Sequence, residues 1–222
     1  MEFELHHAHP WDVAPKEAIR IQERLAAEVE AVPLEEPVET VAGIDVSIRD
    51  DTAQAAIAVL RLPDLEVVDT AIHRGEVPFP YVPGLLSFRE MPAILPALEA
   101  LTTPPDVLMT DSQGFAHPRR FGLACHLGVL LDWPTLGVAK SRLTGEPAGD
   151  LDPEKGARIP LMDEGEQVGV LLRTRTDVNP VYVSIGYRIT LDDAVRITLD
   201  CSPRYKIPEP TREAHALSRT GD

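Results

Sequence analysis

The stretch PDVLMTDSQGFAHPRRFGLACHLGVLLDWPTLGVAK, residues 105–140, decides the fold. It opens on a short apolar run that closes at Asp111 and crosses a polar turn carrying Gly114, His117 and Pro118. It then resumes as RRFGLACHLGVLLD, residues 119–132, which reads as a helix, and ends in a second apolar run, PTLGVAK, residues 134–140. Strand, helix and strand in that length form a βαβ unit, with parallel strands and a right-handed crossover.

Working outward, three β-leaning runs precede this unit: VETVAGIDVSI (38–48), TAQAAIAVLRL (52–62) and LEVVDTAIHRGEV (65–77). The short turns RDD and LPD between them make an antiparallel meander. Before the meander, PKEAIRIQERLAAEVEAV (15–32) places Ile21, Leu25, Val29 and Val32 at helical spacing after Pro15, a residue tolerated in a first turn. Between meander and βαβ unit, YVPGLLSFREMPAILPALEALT (81–102) spaces Leu85, Phe88, Met91, Leu95 and Leu98 as a helix would, with Pro92 and Pro96 interrupting. The expectation is a loop to about Ser87, a helix from near Glu90 with Pro92 in its first turn, and a kink at Pro96. The last third holds two strands, EQVGVLLRT (166–174) and PVYVSIGYRI (180–189), a helix, LDDAVRITLD (191–200), and a polar tail from Cys201. A meander followed by alternating helix and strand predicts an α/β fold. Its antiparallel three-stranded meander is extended by parallel strands into a mixed sheet flanked by helices, in a ribonuclease H-like layout. One domain over residues 1–222 is expected, with its core between about 11 and 215.

The 222 residues, 44% of them apolar, suffice for a continuous core. No apolar run of about 18 residues offers a bilayer span and no basic start precedes an apolar stretch, so a soluble, cytoplasmic protein with no membrane partner is expected. Cys125 and Cys201 lack metal-type spacing and read as reduced structural thiols. The formal charge of −15 argues against a polyanionic partner, but net charge is a poor guide to a local site. Basic residues gather in short groups: Arg119 with Arg120, Lys140 with Arg142, Arg204 with Lys206, then Arg212.

Asp45 lies inside an apolar run, where a charge is costly unless paired or metal-bound. Asp111 closes a second run, at the strand end where open α/β sheets place their ligand crevices. Glu90 begins a helix that must pack nearby. Taken singly, such acids commonly serve as turn formers or helix caps. Together they form the oxygen-rich set that holds one or two Mg²⁺ or Mn²⁺ ions, and such ions assist in-line displacement at a phosphodiester. The LHHAH segment, residues 5–9, is expected to be an exposed N-terminal stretch, because neighbouring histidines without other ligands make a poor metal site.

GIDVS, YVPGLLSFRE, the long block from Asp111 to Leu143 and PEPTREAH follow one another as the signature blocks of the endonuclease V family do. The chain resembles that family from about Trp11 to His215. The resemblance implies a ribonuclease H-like fold and a Mg²⁺-dependent or Mn²⁺-dependent nuclease. Such an enzyme cuts DNA at the second phosphodiester 3′ of deoxyinosine or another deaminated base, which initiates repair. It further implies Asp45, Glu90 and Asp111 as metal-binding acids, with His117, Lys140 and His215 as the other catalytic positions. On chemical grounds His117 would hold or protonate a phosphate-side oxygen and Lys140 would offset charge on the scissile phosphate. His215 would orient a water or phosphate from the tail.

Pro80, Tyr81, Val82 and Pro83 match the family's wedge, a proline-framed loop whose tyrosine fills the gap left by an extruded base. Gly84 and Leu86 match positions whose backbone approaches that base. Gly114, Arg119 and Arg212 are placed among the nucleic-acid contacts, Arg119 and Arg120 at the head of a helix beside a phosphate path. Ser112 stands where the family usually has glycine and is expected to narrow or polarise the lesion pocket. Two alternatives stand beside this reading: an inosine-specific endoribonuclease and a non-catalytic lesion-binding module. Nothing in the sequence demands more than a monomer.

Overall fold

A computed structural model describes residues 3–35 and 37–220 of the chain. α1 (Pro15–Leu25) buries Ala18, Ile21 and Leu25 along one stripe. A single 3₁₀ turn at Ala26–Glu28 ends it, so Val29 and Val32 fall outside the helix expected to reach them. Pro33 disfavours a helical Val32, and Val29 is already extended.

β1 (Thr40–Arg49), β2 (Thr52–Arg61) and β3 (Glu66–Glu76) form the antiparallel meander. After α2 (Leu86–Glu99), the expected βαβ unit consists of β4 (Val107–Thr110), α3 (Leu123–Leu131) and β5 (Thr135–Ala139). The remaining elements are β6 (Glu146–Pro147), β7 (Arg158–Asp163), β8 (Glu166–Leu172), β9 (Val181–Tyr187), α4 (Leu191–Asp200) and α5 (Glu209–Leu217). All strands join one nine-stranded sheet in the order β3-β2-β1-β4-β5-β9-β8-β7-β6. β1, β4 and β5 run parallel and every other pair is antiparallel. This is the ribonuclease H-like mixed sheet the sequence predicts.

Alternation along β1 assigns its faces. Ala42 and Ile44 pack with Met91 and Ile94 of α2. Gly43 faces α5 on the other side, where an added Cβ would lie 1.9 Å from the Pro210 carbonyl carbon. Ala56 and Ala58, equally small, pair with Asp45 and Gly43 on the neighbouring strand, so α5 can settle close to the sheet.

Several boundaries differ from expectation. α2 starts at Leu86, places Glu90 in its second turn and runs through Pro92 and Pro96 without a break. Interior prolines cost about 3 kcal/mol each. Phe88, Met91, Ile94, Leu95 and Leu98 are all buried, and at about 2 kcal/mol each they outweigh that cost. α3 begins only after Gly122, because Arg120 adopts a left-handed φ of 56° that no helix accommodates. β7 was not expected. Its Pro160 reads as a breaker, yet a strand partnered on one side mainly by a two-residue stub tolerates proline. Within the polar tail, residues 209–217 form α5, a helix that was not expected.

Gly43→Ala should therefore push α5 off the sheet. We expect a loss of at least about 2 kcal/mol from overpacking alone, read as a fall in thermal midpoint. Weaker retention of His215 near Asp45 would show as a shifted imidazole resonance.

Candidate active site

Strand register brings the first two acids together. Ile44 pairs with Thr110 across parallel β1 and β4, so the next residues, Asp45 and Asp111, stand side by side. The Asp111 N–H donates to the Ile44 carbonyl at 3.2 Å. β4 ends at Thr110, and past that end α2 presents Glu90 from the opposite face. Glu90, Asp45 and Asp111 line a small cavity of about 40 Å³. α5 supplies His215, whose Nδ1 lies 3.2 Å from Asp45 Oδ2. Ligand atoms of Asp45, Asp111 and His215 all fall within 4.8 Å of one another.

Each acid is balanced differently. Asp45, with its side chain 11% exposed, accepts the Ser218 hydroxyl at 2.6 Å. Asp111 is ion-paired with Lys140, which follows β5. Burial raises the Asp111 carboxyl above its usual range, and the Lys140 ammonium opposes the shift. No hydrogen bond or ion pair of Glu90 is found among the described residues. Burial, together with the charges of Asp45 and Asp111, pushes its carboxyl up to about 8, and the Arg89 charge opposes the shift. Two carboxylates, a third carboxyl and an imidazole make a donor set suited to a hard divalent cation, with one nitrogen among oxygens.

Beside the acids opens a cavity of about 450 Å³, lined in part by Tyr81, Gly84, Ser112, Gln113 and Lys140. Tyr81 is 74% exposed, with the Arg89 guanidinium 5.9 Å from its ring centre. Pro80 and Pro83 flank it, both exposed, and Val82 is half-buried. Leu86, 38% exposed, begins α2 without a side-chain cap. Ser112 is buried at the cavity wall with its hydroxyl 2.8 Å from that of Thr110, and its φ is not left-handed. Serine in place of glycine thus brings no backbone strain here. Gln113 donates to the Ser141 carbonyl at 2.8 Å.

Other expected site residues are engaged within the protein. His117 is 3% exposed, accepts the Arg119 N–H on Nδ1 at 3.1 Å, and so donates from Nε2 to the Gly84 carbonyl at 3.0 Å. Burial, aided by the Arg119 charge, pushes its pKa down to about 4 and keeps it neutral. Both nitrogens are occupied, so this arrangement gives His117 a loop-holding geometry in place of the expected proton donor. Arg119 and Arg120 lie in the turn before α3, not at its head. Arg119 bonds Gln22 and Gly84, whereas Arg120 pairs with Asp163 and Glu166. Gly114 is packed against β9, where a Cβ would sit 2.0 Å from the Ile185 carbonyl oxygen. Arg212 pairs with Glu209 and Glu213 and covers the Tyr205 ring at 4.5 Å. In the LHHAH segment His6 and His7 are exposed, but His9 is half-buried with Nε2 2.7 Å from His126 Nε2.

Two polar residues escaped the sequence reading. Ser218 holds Asp45, and it lies in the tail that reads only as polar. Gln22, 1% exposed, sits on the apolar stripe of α1. A polar residue on such a stripe was the available sign.

A family model described as Endonuclease V matches residues 23–216. The chain belongs to the endonuclease V family. Its members are nucleases that hydrolyse phosphodiester bonds. Endonuclease V of Nostoc punctiforme is 50% identical over 213 residues, covering 95% of this chain and 96% of its own. The crystal structure of endonuclease V from Streptomyces avermitilis superimposes with a TM-score of 0.90 at 44% identity, covering 97% of this chain and 96% of its own. A Ciona intestinalis endonuclease V (D234N), in complex with a 23mer DNA containing an inosine followed by a ribo-adenosine, gives a TM-score of 0.81 at 27% identity. It covers 93% of this chain and 97% of its own.

The His117 geometry sets a pH dependence. Its pKa lies lower in the folded state, at about 4, than the 6.5 of a free imidazole. The unfolded chain therefore binds the extra proton between those values, and stability falls as pH drops through that window. The contribution reaches about 3 kcal/mol below pH 4. His117→Gln, which retains a donor for Gly84, should flatten the acid limb of a denaturation profile relative to the parent protein.

Proposed function

We propose that the protein is a metal-dependent endonuclease that incises DNA at the second phosphodiester 3′ of deoxyinosine or another deaminated base, and so starts its repair. The observation that carries the reading is the convergence of Asp45, Asp111 and His215 beside a cavity rimmed by the exposed Tyr81. The inosine-containing DNA held by the Ciona relative supports the substrate class.

Asp45, Asp111 and His215 would hold Mg²⁺, or Mn²⁺ in its place, with Glu90 as a further ligand once deprotonated. Such an ion supplies Lewis-acid charge to a phosphodiester and acidifies water. The chain's own groups do the rest. Ser218 fixes the rotamer of Asp45 through its hydroxyl. Lys140 neutralises Asp111 before substrate arrives and then offsets charge on the scissile phosphate. Tyr81, framed by Pro80, Val82 and Pro83, occupies the gap left by the extruded nucleotide. The base enters the cavity beside the backbone of Gly84 and Leu86. Arg212 and Arg119 contribute positive charge near the nucleic acid, each already held by protein partners. Hypoxanthine lacks the exocyclic amine of guanine, and a pocket read by backbone groups suits it.

An inosine-specific endoribonuclease is the second reading. The ribo-adenosine after the inosine in the Ciona complex favours it. A labelled RNA carrying inosine, set against the matching DNA, separates the two by which strand is cut faster.

Incubation with a duplex bearing one deoxyinosine should give incision 3′ of the lesion with Mg²⁺ or Mn²⁺ and none with EDTA; an intact duplex under all three conditions would sink the proposal. Asp45→Ala should keep the fold and lower the cutting rate by roughly 10³-fold, the scale of several kcal/mol of transition-state stabilisation. Tyr81→Ala should weaken duplex binding about tenfold through lost stacking, as measured by titration with a fluorescent oligonucleotide.

A further inference from the structure

The Gly84 carbonyl sits at the base of the loop that carries Tyr81, and it accepts three hydrogen bonds. Gln22 Nε2 donates from α1 at 3.1 Å, His117 Nε2 at 3.0 Å and Arg119 Nη2 at 2.7 Å. Gln22 is the hub of this arrangement. Its Nε2 also donates to the Phe121 carbonyl at 3.1 Å, and its Oε1 accepts Arg119 Nε at 2.7 Å. One buried amide thus joins α1, the loop before α2 and the turn before α3. Gly84 takes φ of 78°, and a Cβ there would meet the Arg119 guanidinium at 2.9 Å. Glycine is what lets the fork close on the carbonyl.

No ion pair of Arg119 is found among the described residues, and its half-buried cation depends on Gln22 and Gly84 for its hydrogen bonds. A buried polar group that loses a partner incurs its full desolvation cost, so the three donors and their acceptor stand or fall together. On its other side the loop is held where Arg89 Nη1 donates to the carbonyl of buried Phe79 at 3.1 Å. Tyr81 between these points is 74% exposed and meets Arg89 across 5.9 Å. Its posture therefore depends on two anchors, and the Gly84 tie is the one that reaches α1.

We propose that Gln22 is a positioning residue for lesion recognition: through Gly84 and Arg119 it fixes the loop of Tyr81 in the raised posture that duplex substrates require. The proposal rests on the function given above. A single strand has no stack to open and no gap to fill, so it makes less demand on that posture than a duplex does.

Two variants test it. Gln22→Met keeps the shape and removes every hydrogen bond. Gln22→Glu keeps the acceptor for Arg119 and loses both donors, and it carries the test should the methionine variant fail to fold. Incision of deoxyinosine in a duplex should fall about tenfold for Gln22→Met, the scale of one lost buried hydrogen bond, through a raised KM with kcat nearly unchanged. The same lesion in a single strand should be cut within about twofold of the parent rate, and Gln22→Glu should lie between. Amide hydrogen exchange over residues 79–87 should quicken in both variants while β4 stays protected, a readout that needs no activity. Equal losses on both substrates, or unchanged exchange in that loop, would overturn the assignment. Failure of the parent protein to cut deoxyinosine would instead count against the proposed function, and the exchange experiment would still decide the role of Gln22.

Discussion

Three carboxyl groups are held against one another at the end of a parallel strand pair, and the architecture around them answers to that constraint. Bringing Glu90 and Asp111 beside Asp45 and out of water disfavours the charged forms of Glu90 and Asp111 twice, through burial and through repulsion. The fold meets this with one device per acid. Lys140 neutralises Asp111, Ser218 and His215 hydrogen-bond Asp45, and Glu90 holds its proton up to about pH 8. Those devices come from the end of β5, from α5 and the residue after it, and from α2, which explains why a site of so few residues draws on the three central strands β1, β4 and β5 and on both faces of the sheet. A cation in that place would relieve all three acids at once.

Much of this was legible in the sequence because it depends on periodicity and on misplaced charge. The βαβ unit announced itself through two apolar runs around a helix-length segment. Asp45 stood out as a carboxylate inside such a run. The role of α5 was not legible, because PEPTREAHAL is short, mostly polar and rich in proline, and its helix is secured by what lies beneath it. Gly43, Ala56 and Ala58 carry that information as an absence of side-chain bulk, which hydrophobic patterning does not register. α2 shows the opposite failure. Local propensity read Pro92 and Pro96 as punctuation, and tertiary burial of Phe88, Met91, Ile94, Leu95 and Leu98 overrode it.

The charge balance follows the same division between chain and locality. A net charge of −15 describes a solvated acidic surface. The cations near the cavity are almost all committed inside the protein. Arg120 fastens the turn between β7 and β8, Arg212 braces α5, and Arg119 holds the Gly84 loop. The arginine groups read from the sequence are thus engaged with protein partners. Lys140 differs, since its side chain is 45% exposed and its partner is an acid of the site itself.

The tie at Gly84 links the two halves of the proposed chemistry. Asp45 and Asp111 are fixed by strand register, which tolerates little movement, whereas Tyr81 rides a loop held at Phe79 and at Gly84. An enzyme that must open a stacked duplex needs a rigid cutting centre and a separate element whose posture can be set independently. His117 illustrates how the chain achieves this. Its imidazole lines the same cavity as Asp111 but is kept neutral by burial and turned towards the loop, with Arg119 fixing which nitrogen carries the proton. A histidine that could have served proton transfer therefore acts with Gln22 on the backbone that bears Tyr81. The division of labour follows from burial: Gln22 and His117, shut away from water, bond backbone carbonyls, whereas Tyr81 at the rim stays exposed.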